Sequence, residues 1–166
     1  MKKGLSILML LVLCSCAANT PDASPEPSPS PPPEGFPFEA YGQVMYVCAP
    51  VKPVLDNLPE PRDRFESPSC AFEGLDITYF YPGFELTTYP ENGEEHILSV
   101  ILTDDSVSTP GGVFIGATVS NMEEAYGTDY TQKGGQYTYT AGKGSLVFTF
   151  RDDVIIGIVF AYVAGG

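Results

Sequence analysis

The chain is poor in positive charge. Eight Lys+Arg stand against 21 Asp+Glu, for a formal net charge of −13, and so acidic a surface repels phosphate backbones. Nucleic acid is excluded as a partner. Only one histidine is present, His96, too few imidazoles for a histidine-based metal site. No apolar run reaches the ~20 residues that a membrane-spanning helix requires. Catalytic signatures are missing too: there is no G-x-S-x-G elbow, and Gly111-Gly112 and Gly134-Gly135 lack the Lys-Ser/Thr of a phosphate loop. No cofactor is implied. What is abundant is glycine (17), proline (16), tyrosine (10) and phenylalanine (10), which suits sheets and turns better than helical bundles.

The N-terminus reads as an address. Met1-Lys2-Lys3 is basic and Leu5 to Leu13 is apolar, the pattern of a signal peptide over residues 1–15. Next comes Leu13-Cys14-Ser15-Cys16, which resembles the bacterial lipobox. That resemblance implies cleavage after Ser15 and lipidation of Cys16; Cys14 fits badly, because Leu13 would fill the small-residue position. The alternatives are an ordinary secretory signal or an uncleaved anchor. Cleavage would remove two lysines and no acid, taking the net charge from −13 to −15. Each acyl methylene buried in the bilayer contributes about 0.8 kcal/mol. The chain is thereby expected on the extracytoplasmic face of a bacterial membrane, held by lipid. Residues 16–36 follow as a stalk, in which Pro alternates with Ser, Glu and Asp. Nothing in that segment can form a core, and an extended polyproline-like spacer of up to ~60 Å is expected.

The folding sequence divides into residues 37–109 and 110–166, which look like two versions of one unit in a single domain. Each version opens with an extended piece, Tyr41 to Val47 and Gly112 to Ile115. A short helix follows, Val54 to Pro59 in the first and Met122 to Gly127 in the second, the latter capped by Thr118 or Ser120. Three strands come next: Leu75 to Tyr81, Phe84 to Tyr89 and His96 to Leu102 in the first, then Gln136 to Thr140, Ser145 to Phe150 and Val154 to Val163. Pro82-Gly83, Asn92-Gly93, Gly142 and Asp152-Asp153 supply the turns. The expected fold class is α+β, an antiparallel sheet from two tandem strand-helix-three-strand units with short helices on one face.

The run Gly112-Val113-Phe114-Ile115-Gly116-Ala117-Thr118, followed by Met122 to Gly127, resembles a signature of small bacterial lipoproteins. Those belong with the β-lactamase-inhibitor-protein-like and outer-membrane-assembly-lipoprotein-like α+β folds. Ser69 to Gly74 and Phe84 to Pro90 are similar to segments of uncharacterised Gram-positive lipoproteins. The resemblance implies a joined sheet with a protein-binding face. It transfers no inhibitory loop, so β-lactamase inhibition is an analogy of fold alone.

Cys48 and Cys70 are the cysteines left for the folded part. Export permits a disulfide between them, closing a loop of about 22 residues and stabilising by roughly 3 kcal/mol; two buried free thiols are the alternative. His96 beside Glu94 and Glu95 offers a hydrolytic reading, against that of a solvated strand-end histidine. Asp104-Asp105 and Asp152-Asp153 offer oxygen ligands for Ca²⁺ but lack the D-x-D-x-D-G spacing. By strand alternation Tyr79 and Tyr81 share one face of their strand, as Tyr137 and Tyr139 do of theirs. These four are the candidate binding face, unless they pack inward with hydroxyls at the rim. Acidity concentrates in the first half, 13 acids and 3 bases from Phe38 to Thr109 against 5 and 3 thereafter. A basic partner would favour that half, though solubility alone explains it. The sequence thus points to a lipoprotein that is not an enzyme, a binding or envelope-assembly module with a protein partner of unknown identity. A small-ligand or Ca²⁺ carrier is the alternative, with an undetected hydrolase behind it.

Overall fold

The computed structural model describes residues 35–163; the signal peptide, Cys16 and most of the stalk lie outside them. The described chain begins with a small hairpin, β1 (Phe38–Ala40) and β2 (Gln43–Met45), turned by Tyr41-Gly42. Helix α1 (Lys52–Leu55) follows, with Pro53 pre-set for its first turn. Four strands come next: β3 (Asp63–Pro68), β4 (Leu75–Tyr81), β5 (Phe84–Glu91) and β6 (Glu94–Leu102). Helix α2 (Val119–Tyr126) precedes the last four, β7 (Thr131–Lys133), β8 (Gln136–Ala141), β9 (Gly144–Arg151) and β10 (Val154–Tyr162).

The strands β3 to β10 form one antiparallel sheet in the order β3-β4-β5-β6-β10-β9-β8-β7. Each run of four is a meander, and the two meet where Leu102 faces Ile158 and Val100 faces Phe160. Tight turns make the meanders possible. Asn92 and Gly93 (φ 53° and 82°) and Asp152 and Asp153 (φ 51° and 65°) occupy the left-handed region that two-residue hairpins demand.

The core lies on one side of this sheet. Alternation sends Tyr79, Leu86, Val100, Phe160, Leu146 and Tyr139 inward along one row. Phe38, Met45, Val51, Val54, Val113 and Met122 cover them from the hairpin, the helices and the connecting loops. Phe38 is fully buried, its ring 5.1 Å from Phe84 and 5.4 Å from Phe160, so it plugs both meanders at once. Thr118 caps α2: its Oγ1 accepts from the Asn121 N–H, and Asn121 Oδ1 accepts from the Thr118 N–H in return.

Three expectations need correcting. Residues 112–115 form turns instead of a strand, since Gly112 and Gly116 take φ of 77° and 104°. The opening piece of the first half is a hairpin outside the main sheet. Each meander also has a fourth strand, β3 or β7, at the sheet edge, where nearly every residue is exposed and no apolar alternation marks it. At the stalk's end, Phe36 packs edge-on against Tyr126 and Tyr139.

Candidate functional site

The aromatic binding face does not form. Tyr79, Tyr81 and Tyr139 keep only 8%, 5% and 4% of their surface exposed, and Tyr137 is half-buried against the same core. The tyrosines pack inward because they share the rows of Leu86, Phe84 and Phe148. Their hydroxyls find partners at the rim: Tyr139 donates to the Gly127 carbonyl at 2.6 Å and Tyr79 to Glu95 Oε2 at 3.1 Å. Burial pushes the Tyr139 hydroxyl up to about 12 and raises that of Tyr79. The open face carries mostly small and β-branched side chains instead, with Phe80 and Glu85 among them. One row runs Thr78, Thr87, Ser99, Ala161, Ser145 and Thr140; the next holds Phe80, Glu85, Ile101, Val159 and Val147.

Cys48 and Cys70 are free thiols in this structure, so the expected bridge is not made. Cys48 is half-buried in a left-handed conformation (φ 66°), its thiol raised by burial, with the nearby Tyr89 hydroxyl acting in the opposite direction. Cys70 is exposed in the β3–β4 loop. That loop sends Phe72 to stack on Tyr89 at 4.1 Å, and Tyr162 stacks there too. Burial first, then the Cys48 charge, raises the Tyr89 hydroxyl.

His96 joins this cluster rather than a catalytic one. It lies inside β6, its ring 5.7 Å from Tyr89, and its buried Nδ1 has no hydrogen-bond partner. Glu95, one residue earlier, points to the other side of the strand, toward Tyr79 and Thr88. The imidazole and the carboxylate of the imagined triad are thereby separated. The aspartate pairs are spent on turns: Asp104 accepts from the Ser106 hydroxyl and N–H, which lowers its carboxyl, and Asp152-Asp153 close the β9–β10 hairpin. Among the described residues, no three His, Cys, Asp or Glu side chains are set to hold a metal. Also among them, no helix is long and apolar enough to cross a membrane.

A concavity lies elsewhere. A cleft of about 830 Å³ lies between α1 and the β5–β6 turn, lined by Val51, Pro53, Leu55, Asp56, Glu94 and Glu95 among others. The Val51 N–H donates to the Glu95 carbonyl at 2.9 Å, fastening the helix start to β6. Glu95 Oε2 accepts from the Tyr79 hydroxyl and from Thr88 Oγ1, both at 3.1 Å, which fixes the carboxylate at the cleft wall. Lys52 is engaged with Asp56 at 2.8 Å, leaving Glu94 and Glu95 to set the sign of that wall. Glu95 is legible in the sequence once alternation is applied, since it shares a face with the buried Ile97.

No family model matches the chain, and no curated protein matches it. Among solved structures it is similar to an extracellular protein containing a SCP domain from Bacillus anthracis str. Ames. The identity is 12% and the TM-score 0.46, over 71% of this chain and 44% of that one. The chain thus spans less than half the length of that protein.

Proposed function

We propose that this chain is a lipid-anchored surface protein, tethered through Cys16 outside a bacterial membrane, that binds a basic segment of an envelope protein without transforming it. The observation that carries the reading is the α1/β5–β6 cleft, where the Tyr79 and Thr88 hydroxyls hold the Glu95 carboxylate in place. A pre-positioned carboxylate loses little freedom when it meets a lysine or arginine. The acidic balance of the first half adds long-range attraction. Absence of a nucleophile–base pairing in the sequence motifs favours binding over catalysis.

We also read the two meanders as a tandem duplication, each a short helix followed by four antiparallel strands. The mirrored strand order about β6 and β10 supports this. The duplicated unit then differs from the sequence expectation in two ways: each copy gains an edge strand, and neither has its opening strand in the main sheet.

Crosslinking on intact cells tests the binding reading. The wild-type chain should capture a specific protein partner through the cleft, and Glu95→Gln together with Glu94→Gln should lose it while retaining the fold. Equal capture by both chains, or none by either, would refute the proposal. Mass spectrometry of the membrane-extracted chain tests the tether: an unmodified Cys16 sulfur removes it.

A further inference from the structure

Among the described residues, no strand pairs with the outer side of β3, and its residues Asp63, Arg64, Phe65 and Glu66 are exposed. Phe65 is 59% exposed, the largest value among the exposed large apolar side chains. An open edge invites another strand, and charges usually guard against this. Here the charges select one pairing. We propose that two copies of this chain join antiparallel along β3, centred on Phe65, into one continuous sheet.

The register is fixed by arithmetic on Asp63-Arg64-Phe65-Glu66-Ser67. With Phe65 opposite its own copy, Arg64 of each chain faces Glu66 of the other, and Asp63 faces Ser67. Every charged contact across the seam is then favourable or neutral, and the exposed ring is covered by its equivalent. Neighbouring registers fail. Centring on Arg64 or Glu66 sets like charges face to face, and centring between Arg64 and Phe65 opposes Asp63 to Glu66. A shift the other way leaves Arg64 against Ser67 and Phe65 against Glu66. Opposed charges in a strand pair stabilise and like charges destabilise by similar amounts. In the single chain Arg64 pairs with its own Glu66 and lies 5.7 Å from the Tyr79 ring centroid, so both charges already stand together on one face of the open edge. A two-fold pairing of this kind is closed, so it ends at two copies. The other edge, β7, offers three residues and no such palindrome of charge.

The test is sedimentation velocity of the full chain in detergent. Wild type should dimerise reversibly. Arg64→Glu and Glu66→Arg should each weaken association about ten-fold or more, given two altered pairs, and the double charge swap should restore it. Circular dichroism confirms that each variant is folded. In a Cys70→Ser background, Phe65→Cys should crosslink across the seam under oxidation and Asp63→Cys should not. A wild type monomeric at all accessible concentrations, or single and double variants that associate alike, overturns the inference, and a foreign strand is then the remaining occupant. Association is read separately from cleft binding, and Glu66→Arg is the variant that keeps the two apart, since Arg64 lies over the Tyr79 ring whose hydroxyl serves Glu95.

Discussion

At the residue scale, inward tyrosines govern behaviour in alkali. The Tyr139 hydroxyl has a folded value of about 12 against an ordinary value of 10.0, raised mainly by burial. The folded state therefore keeps a proton that the unfolded chain releases. Stability should be fully present below pH ~10 and fall as pH climbs from there through ~12. Tyr79, Tyr81 and Tyr89 are shifted in the same direction. Urea midpoints measured from pH 9 upward should trace the loss. Tyr139→Phe should flatten the slope and cost about 1 kcal/mol at neutral pH, because the Gly127 carbonyl loses its donor. The two thiols should also separate. Cys70 should react with a thiol reagent at the rate of an exposed group and Cys48 much more slowly, since burial disfavours its thiolate. Sequence alternation placed Tyr79 and Tyr81 on one face correctly. It does not say which face is the core, because both faces of β4 carry aromatic or β-branched residues. Burial decides that, through partners contributed by the distant hairpin and helices.

At the element scale, the turns and the cap set where each strand begins. Gly83 takes φ 84°, and an added Cβ would come within 2.7 Å of Ser106 Oγ and Val107 Cγ1. Gly83→Ala should therefore destabilise by about 1–3 kcal/mol, readable in chemical denaturation. Thr118→Ala removes the acceptor for the Asn121 N–H and should cost about 1 kcal/mol. Six of the eight main strands were legible in the sequence to within about two residues, because apolar alternation ends at a glycine, proline or asparagine turn. The edges were not. Asp63 to Pro68 and Thr131 to Lys133 bury no continuous face, so their strand character comes only from the neighbour that pairs with them. Gly112 to Ile115 failed for the opposite reason: it is apolar enough for a strand, but two glycines in left-handed conformations bend it into turns.

At the scale of the whole molecule, one apolar cluster runs through both meanders. Unfolding should therefore appear as one transition, coincident by far-ultraviolet dichroism and tyrosine fluorescence. Phe38→Ala should weaken both meanders together, by about 3–5 kcal/mol, since the ring touches Phe84 in one and Phe160 in the other. Two separated transitions would contradict a shared core. The cleft belongs to this scale as well. Its walls come from α1 and from a turn some 40 residues later, so no local motif announces it.

The packing of Phe36 and Phe38 has a mechanical consequence. A pull applied on the N-terminal side of the described chain meets these two rings first. It then meets a hairpin of only three residue pairs, which lies outside the main sheet. Load directed along the backbone would peel that hairpin rung by rung, extracting the plug before it strains the eight strands behind it. The β1–β2 segment would act as the fuse of the domain, yielding at low force while the sheet stays whole.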